Sequence, residues 1–334
     1  MTPLRRSGSV LMAAAVWLVV GAAPALADPP GPTDYQTEVI GIDPATPGFR
    51  VEVIGGDSFI LIHADPGTSL EVTGYRGEPY LRFLADGTVE QNDHSPTTYY
   101  NVDRYGVADI PAEATADAEP SWSRVATDGS FAWHDHRAHW MNTARPLGRE
   151  PGDVILERVV PLVVGGVEVD VTVRSIWQPP PSTALPLAGM ALGLAVVAAA
   201  ALRRSRVVVL AGVLAALAAA AAVLGVVAVV SVPAETSPPW SLWVPPLAAL
   251  ALGAAALGGR WIPALHRSAP SSALIGALVL TAWGFLHQEW MWRAVLPTNG
   301  PFWAERVVTG AVIVAGIGLV MLIGRAQVMG AEHA

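Results

Sequence analysis

The chain has 334 residues, 52% of them apolar, with 28 acidic and 20 basic side chains and a mean hydropathy of +0.42. Every basic residue is arginine and there is no cysteine, which excludes disulfides, thiolate metal sites, iron–sulfur clusters, thiol catalysis and a lipoprotein anchor. Charge is concentrated early: Asp28 to Ser182 carries 24 acidic residues and 10 arginines, a net charge of −14 that serves solubility, repels nucleic acid and attracts cations.

The first 27 residues have the parts of a secretory signal. Arg5 and Arg6 precede an apolar run from Val10 to Ala23, and Ala25-Leu26-Ala27 forms a small-x-small cleavage site before Asp28. An uncleaved anchor is the competing reading.

Residues 28–182 read as an extracytoplasmic all-β, sandwich-like domain. Short apolar-polar alternations predict strands at Glu38–Ile42, Arg50–Ile54, Ser58–His63, Leu70–Gly74, Tyr80–Leu84, Ser121–Ala126, Phe131–His134, Val154–Val164 and Val167–Ile176. Gly165-Gly166 is a two-residue hairpin signal, and Asp65-Pro66-Gly67 and Asp86-Gly87 mark further turns. Val107 to Pro120 reads as a loop, and Pro179-Pro180-Pro181 as a stiff linker into the second half.

Residues 183–325 read as a transmembrane helical domain, with 326–334 a cytoplasmic tail. Spans are expected near Ala184–Leu202, Val207–Val232, Leu242–Gly259, Ser272–Gln288 and Val307–Gly324, each close to the roughly 20 residues a bilayer requires. Arg203, Arg204, Arg206, Arg260, Arg267 and Arg325 lie in alternate connections, which the positive-inside rule makes cytoplasmic. The β-domain then faces outward, in agreement with the signal peptide. Trp177, Trp240, Trp243, Trp283, Trp290, Trp292 and Trp303 fall near the outer span ends, as an interfacial belt would place them.

One segment concentrates polar and aromatic chemistry: Phe131-Ala132-Trp133-His134-Asp135-His136-Arg137-Ala138-His139-Trp140-Met141. On an extended chain His134 and His136 share a face, whereas His139 has the opposite parity and joins them only if the strand bends after Arg137. Imidazole suits copper or zinc, and the Met141 thioether favours cuprous copper. Asp135 can orient a ring from behind, and His94 with Asp93, His63 with Asp65, or His287 with Glu289 at the outer end of the fourth span can complete a site. The competing reading is a buried hydrogen-bond and stacking network of Trp133, Arg137 and Trp140, in a non-enzymatic interaction or scaffold protein whose histidines are structural. No hydrolase elbow, phosphate loop, dinucleotide fingerprint or zinc-protease helix is present, no nucleophile or acid–base pair stands out by spacing, and the spans carry no pair of histidines for haem.

The strings Gly77-Glu78-Pro79-Tyr80-Leu81-Arg82, Ser95-Pro96-Thr97-Thr98-Tyr99-Tyr100-Asn101 and Trp133-His134-Asp135-His136-Arg137-Ala138-His139-Trp140-Met141 resemble those of a family of uncharacterised actinobacterial membrane proteins. That resemblance implies a membrane-anchored protein with an extracytoplasmic domain. The plan of a histidine-bearing β-domain beside a helical membrane part is also similar to that of bacterial copper-handling systems, a likeness of architecture alone.

Overall fold

The computed structural model describes residues 29–202, 206–233, 235–236 and 239–331. The expected signal peptide (1–27), Arg203, Arg204 and the last three residues of the expected tail lie outside these segments.

Two units follow each other, as the composition break at the triple proline implies. The first contains β1 (Tyr35–Asp43), β2 (Phe49–Ile54), β3 (Phe59–Ala64), β4 (Leu70–Thr73), β5 (Pro79–Phe83), β6 (Val89–Asn92), a short α1 (Pro96–Tyr100), β7 (Trp122–Ala126), β8 (Ser130–His134), β9 (Val154–Val164) and β10 (Val167–Trp177). A seven-stranded sheet in the order β1-β10-β9-β4-β5-β6-β7 faces a three-stranded sheet, β2-β3-β8, with every pairing antiparallel. Alternation along the strands supplies the inner faces: Val169, Val171 and Val173 of β10 are buried while Glu168 and Asp170 are exposed. Ile60, Ile62, Leu81, Phe83, Leu162 and Trp133 meet between the sheets in one core. The β9–β10 hairpin turns through Gly165 and Gly166 at φ of 57° and 86°, the positive values a tight type I′ turn demands.

Nine strands stand where the alternation places them, within a few residues. β6 has no counterpart in the sequence reading, because Val89-Glu90-Gln91-Asn92 offers a single apolar residue; its pairing with β5 and β7 makes it a strand. Helix α1 was also unforeseen. Ser95 caps it by accepting from the Thr97 amide, and Pro96 pre-sets its first turn.

The second unit contains α2 (Ala184–Ala201), α3 (Arg206–Val230), α4 (Trp240–Gly258), a one-turn α5 (Pro263–His266), α6 (Ala269–Leu286), a 3-10 turn (Gln288–Met291) and α7 (Phe302–Ala331). Five of these helices are long and apolar enough to cross a membrane. α7 begins five residues before the expected span and continues into the expected tail to Ala331. Its first turn holds Glu305 and Arg306, which read as a span boundary in sequence but are buried inside the bundle. Helix α2 packs on α7, α7 on α6, α6 on α4 and α4 on α3. Glycine permits the closest approach: a Cβ on Gly193 of α2 would sit 2.5 Å from the Ala311 carbonyl oxygen of α7.

Two links between the units stand out among the described residues. β10 runs through Pro179–Pro181 into α2. Independently, Thr33 and Val295 exchange two backbone hydrogen bonds of 2.9 Å, and Asp34 accepts from Arg293 at 2.8 Å and from the Ala294 amide at 3.1 Å. The loop between α6 and α7 is thereby fastened to the lead-in to β1.

Candidate functional site

The chain turns directly after His134, three residues before the expected bend after Arg137, and this gathers the histidines. β8 ends at His134, and the Ala138 amide closes a turn on the Asp135 carbonyl at 2.9 Å. Asp135 forces this turn by accepting from the Arg137 amide at 2.9 Å, and the Thr37 hydroxyl pins the far side through the Ala138 carbonyl at 2.6 Å. His139 therefore swings back over His134. Ring centroids lie 4.9 Å apart for His134 and His139, 5.3 Å for His136 and His139, and 6.2 Å for His134 and His136.

The rest of the motif supports the turn. Asp135 is fully buried; it accepts the Trp133 indole N–H at 2.9 Å and two guanidinium N–H groups of Arg137 at 2.9 and 2.7 Å. Burial acts to raise its pKa, but the Arg137 charge and these bonds hold it below the usual carboxylate range. Arg137 also donates to the Thr73 carbonyl at 3.0 Å and lies over the Tyr75 ring. The carboxylate thus faces away from the imidazoles and serves the framework, so the expected network of Trp133 and Arg137 exists beside the histidine cluster. Trp140 is apart from it, donating its indole N–H to the Ala144 carbonyl.

The imidazoles differ in environment. His136 is half-buried, stacks on Tyr75 with centroids 5.7 Å apart, and places Nε2 3.0 Å from the Asp103 carbonyl. A carbonyl only accepts, so Nε2 carries the proton and Nδ1 keeps its lone pair. His139 is buried, with Nδ1 3.4 Å from the Trp140 carbonyl and Nε2 without a partner. His134 is buried against Phe59, and neither of its nitrogens has a partner. Burial first, then the Arg104 charge, pushes the pKa of His134 down to about 3 and that of His139 down to about 2; burial also lowers that of His136. All three are neutral near pH 7. Arg104 comes from the loop after α1 and is held by the buried Asp57 at 2.6 Å, a pair that nothing in the local sequence signals.

The accessory candidates scatter. Met141 adjoins His136: a Cβ on Gly106 would lie 3.0 Å from His136 Cε1 and 3.7 Å from Met141 Cε. His94 is tied to the Glu119 carbonyl at 2.7 Å, and Asp93 accepts from Ser123. His63 is hydrogen-bonded to Ser130 at 2.6 Å, four residues up β8 from His134. Glu289 lies 3.9 Å from Arg293. His94, Asp93, His63 and Glu289 do not join the cluster. Among the described residues, no three His, Asp or Glu side chains have their donor atoms gathered as a bound metal requires.

A second polar site lies at the head of the bundle. His287 stacks between Trp283 and Trp290, with centroids 4.5 and 4.3 Å away, and its Nε2 is 3.5 Å from Glu305 Oε2. Both side chains are buried, and neither Glu305 oxygen finds a hydrogen-bond donor. Arg306 instead donates to the carbonyls of Arg293 and Ala294.

The segments Gly77–Arg82 and Ser95–Asn101 also acquire structural roles. Glu78, buried beneath α1, accepts the hydroxyls of Ser95 and Thr97, both at 2.7 Å, and the Arg76 amide. Comparison with known proteins returns no match: no family model, curated protein or solved structure aligns with the chain.

Proposed function

We propose that the β-domain faces the extracytoplasmic side and binds one transition-metal ion, copper first and zinc as the alternative, through His134, His136 and His139. Met141 is the accessory soft ligand, and the role is metal handling or sensing at the membrane. The observation that carries this reading is the gathering of three imidazoles whose buried nitrogens, on His134 and His139, have no hydrogen-bond partner. Leaving a buried polar atom unpartnered costs about 1–3 kcal/mol, which a fold tolerates where the atom serves something else.

Ring spacing supports it. An imidazole bound at about 2.0–2.1 Å has its centre about 3.2 Å from the metal, so two tetrahedral ligands hold their centres about 5 Å apart. Two of the separations, 4.9 and 5.3 Å, are at that value, and the third is 6.2 Å. Binding would require the rings to turn until their lone pairs meet, since the donor atoms do not converge without the metal. Two rings already direct one nitrogen at a backbone carbonyl, the usual outer support of a metal-bound histidine. Neutral imidazoles need release no proton on binding. Arg104 opposes a cation, and Asp57 offsets its charge. The outward placement of the domain rests on the alternation of arginine-bearing connections and the N-terminal signal.

The test is titration of the detergent-solubilised full chain with cuprous, cupric and zinc ions. One saturable equivalent is expected, lost in His134→Ala and in His139→Ala and retained in His94→Ala. The absence of saturable binding, or its survival in His134→Ala, overturns the proposal. A second reading, an interaction or scaffold protein with structural histidines, is favoured by the close Trp133-Asp135-Arg137 network beside the cluster. It predicts that thermal melts of wild type and His134→Ala respond identically to chelator.

A further inference from the structure

A concavity of about 420 Å³ opens on the outer edge of the histidine cluster, within the size range of small-molecule sites. Its lining includes Tyr75, Tyr100, Tyr105, His136 and Met141, together with Arg137 and Arg158. No carboxylate lines it among the described residues, although the domain around it carries a net charge of −14. The two cations are not equivalent. Arg137 is neutralised by Asp135, whereas Arg158 bonds only to the Glu157 carbonyl and has no acidic partner among the described residues. Position 158 shares its strand face with the buried Val160 and Leu162. An arginine there stands where the core face of β9 runs out into solvent at the pocket mouth.

The walls are pre-set. The Tyr75 hydroxyl accepts from the His136 amide at 2.8 Å and donates to Asn101, which fixes the ring that forms the pocket floor. The Tyr105 loop is held by Asp103, whose carboxylate accepts the amides of Tyr105 and Val107 at 2.8 and 3.0 Å. Tyrosine rings in the lining and an arginine without an acidic partner favour a planar ring bearing an anionic group: the ring packs on tyrosine, and the fork of Arg158 receives the anion.

We propose that this pocket binds a planar organic anion of the aromatic carboxylate class, with Arg158 as the anion receptor and Tyr100 and Tyr105 as the ring-packing walls. This goes beyond the metal reading and does not depend on it.

The experiment uses the full chain in detergent with a chelator present, observed by fluorine NMR of 4-fluorobenzoate. Line broadening that saturates with protein is expected. It should weaken at least tenfold in Arg158→Gln, the loss of one charge-assisted hydrogen bond, and also in Tyr105→Ala. Both side chains are exposed, so unchanged melting of the two variants verifies their folding. The neutral isostere 4-fluorobenzamide should bind at least tenfold more weakly, and acetate should compete poorly. Equal binding of acid and amide, equal competition by acetate, or wild-type affinity in Arg158→Gln overturns the proposal. His134→Ala should leave benzoate binding unchanged, so failure of the metal site and failure of this pocket are separately visible.

Discussion

The two buried histidine sites use opposite electrostatics. In the β-domain, the motif's own carboxylate, Asp135, is turned away and saturated by Arg137 and Trp133, so the imidazoles are left with each other and with Arg104 nearby. At the bundle head, one imidazole is clasped between two indoles and faces a carboxylate that has no other partner. The first arrangement presents neutral lone pairs; the second stacks a single ring between two indoles with one nitrogen toward a carboxylate. A carboxylate's hydrogen bonds, more than its burial, decide whether it is part of the scaffold or a group in need of a cation.

The largest effect should come from the saturated carboxylate. Asp135→Ala leaves the Arg137 guanidinium buried without its counter-ion, and unfolding in denaturant should show a loss of about 3–5 kcal/mol. Glu305→Gln, which removes a charge with no hydrogen-bonded partner, should cost less than about 1 kcal/mol in the same assay. Equal losses would erase the distinction between the two sites.

Acid sharpens it next. His134 and His139 stay neutral in the folded chain down to about pH 3 and 2, whereas in the unfolded chain they take up protons below about pH 6.5. Their contribution is intact above pH 6.5 and is lost as pH falls from there toward 3, at up to about 1.4 kcal/mol per pH unit for each ring. Denaturation midpoints in chelator between pH 7 and 4.5 should fall more steeply for the wild type than for His134→Leu/His139→Leu. Parallel curves would mean that the rings are protonated in the fold.

A smaller effect separates function from stability within the cluster. His134→Leu removes two unpartnered nitrogens beside Phe59 and should raise metal-free stability by about 1 kcal/mol while abolishing metal binding. A stability loss accompanied by intact binding would make His134 a structural residue. Smallest of all, His94→Ala should stay within about 0.5 kcal/mol of wild type and leave the metal titration unchanged, since His94 serves only the Glu119 carbonyl.

Much of the architecture is written in local pattern. The strand alternations, the Gly165-Gly166 turn, the triple-proline break and five apolar stretches each depend on neighbouring residues alone, and each reappears as an element. β6 and α1 escaped because Val89–Asn92 and Pro96–Tyr100 lack periodic apolar residues and owe their form to partners elsewhere in the domain. The histidine segment shows the boundary most clearly. Three imidazoles within six residues are visible in the sequence, and parity makes their meeting conditional on a bend after Arg137; the chain turns earlier, between Asp135 and Ala138. Asp135 starts the turn locally, and Thr37, Thr73 and Tyr75, each more than 60 residues away along the chain, hold it in place. The Arg104–Asp57 pair, the pocket beneath Tyr105 and the burial of Glu305 are likewise products of tertiary packing. Hydrophobic period is a short-range property of the chain; the convergence of polar groups depends on contacts that close only when distant segments pack, and no local period encodes them.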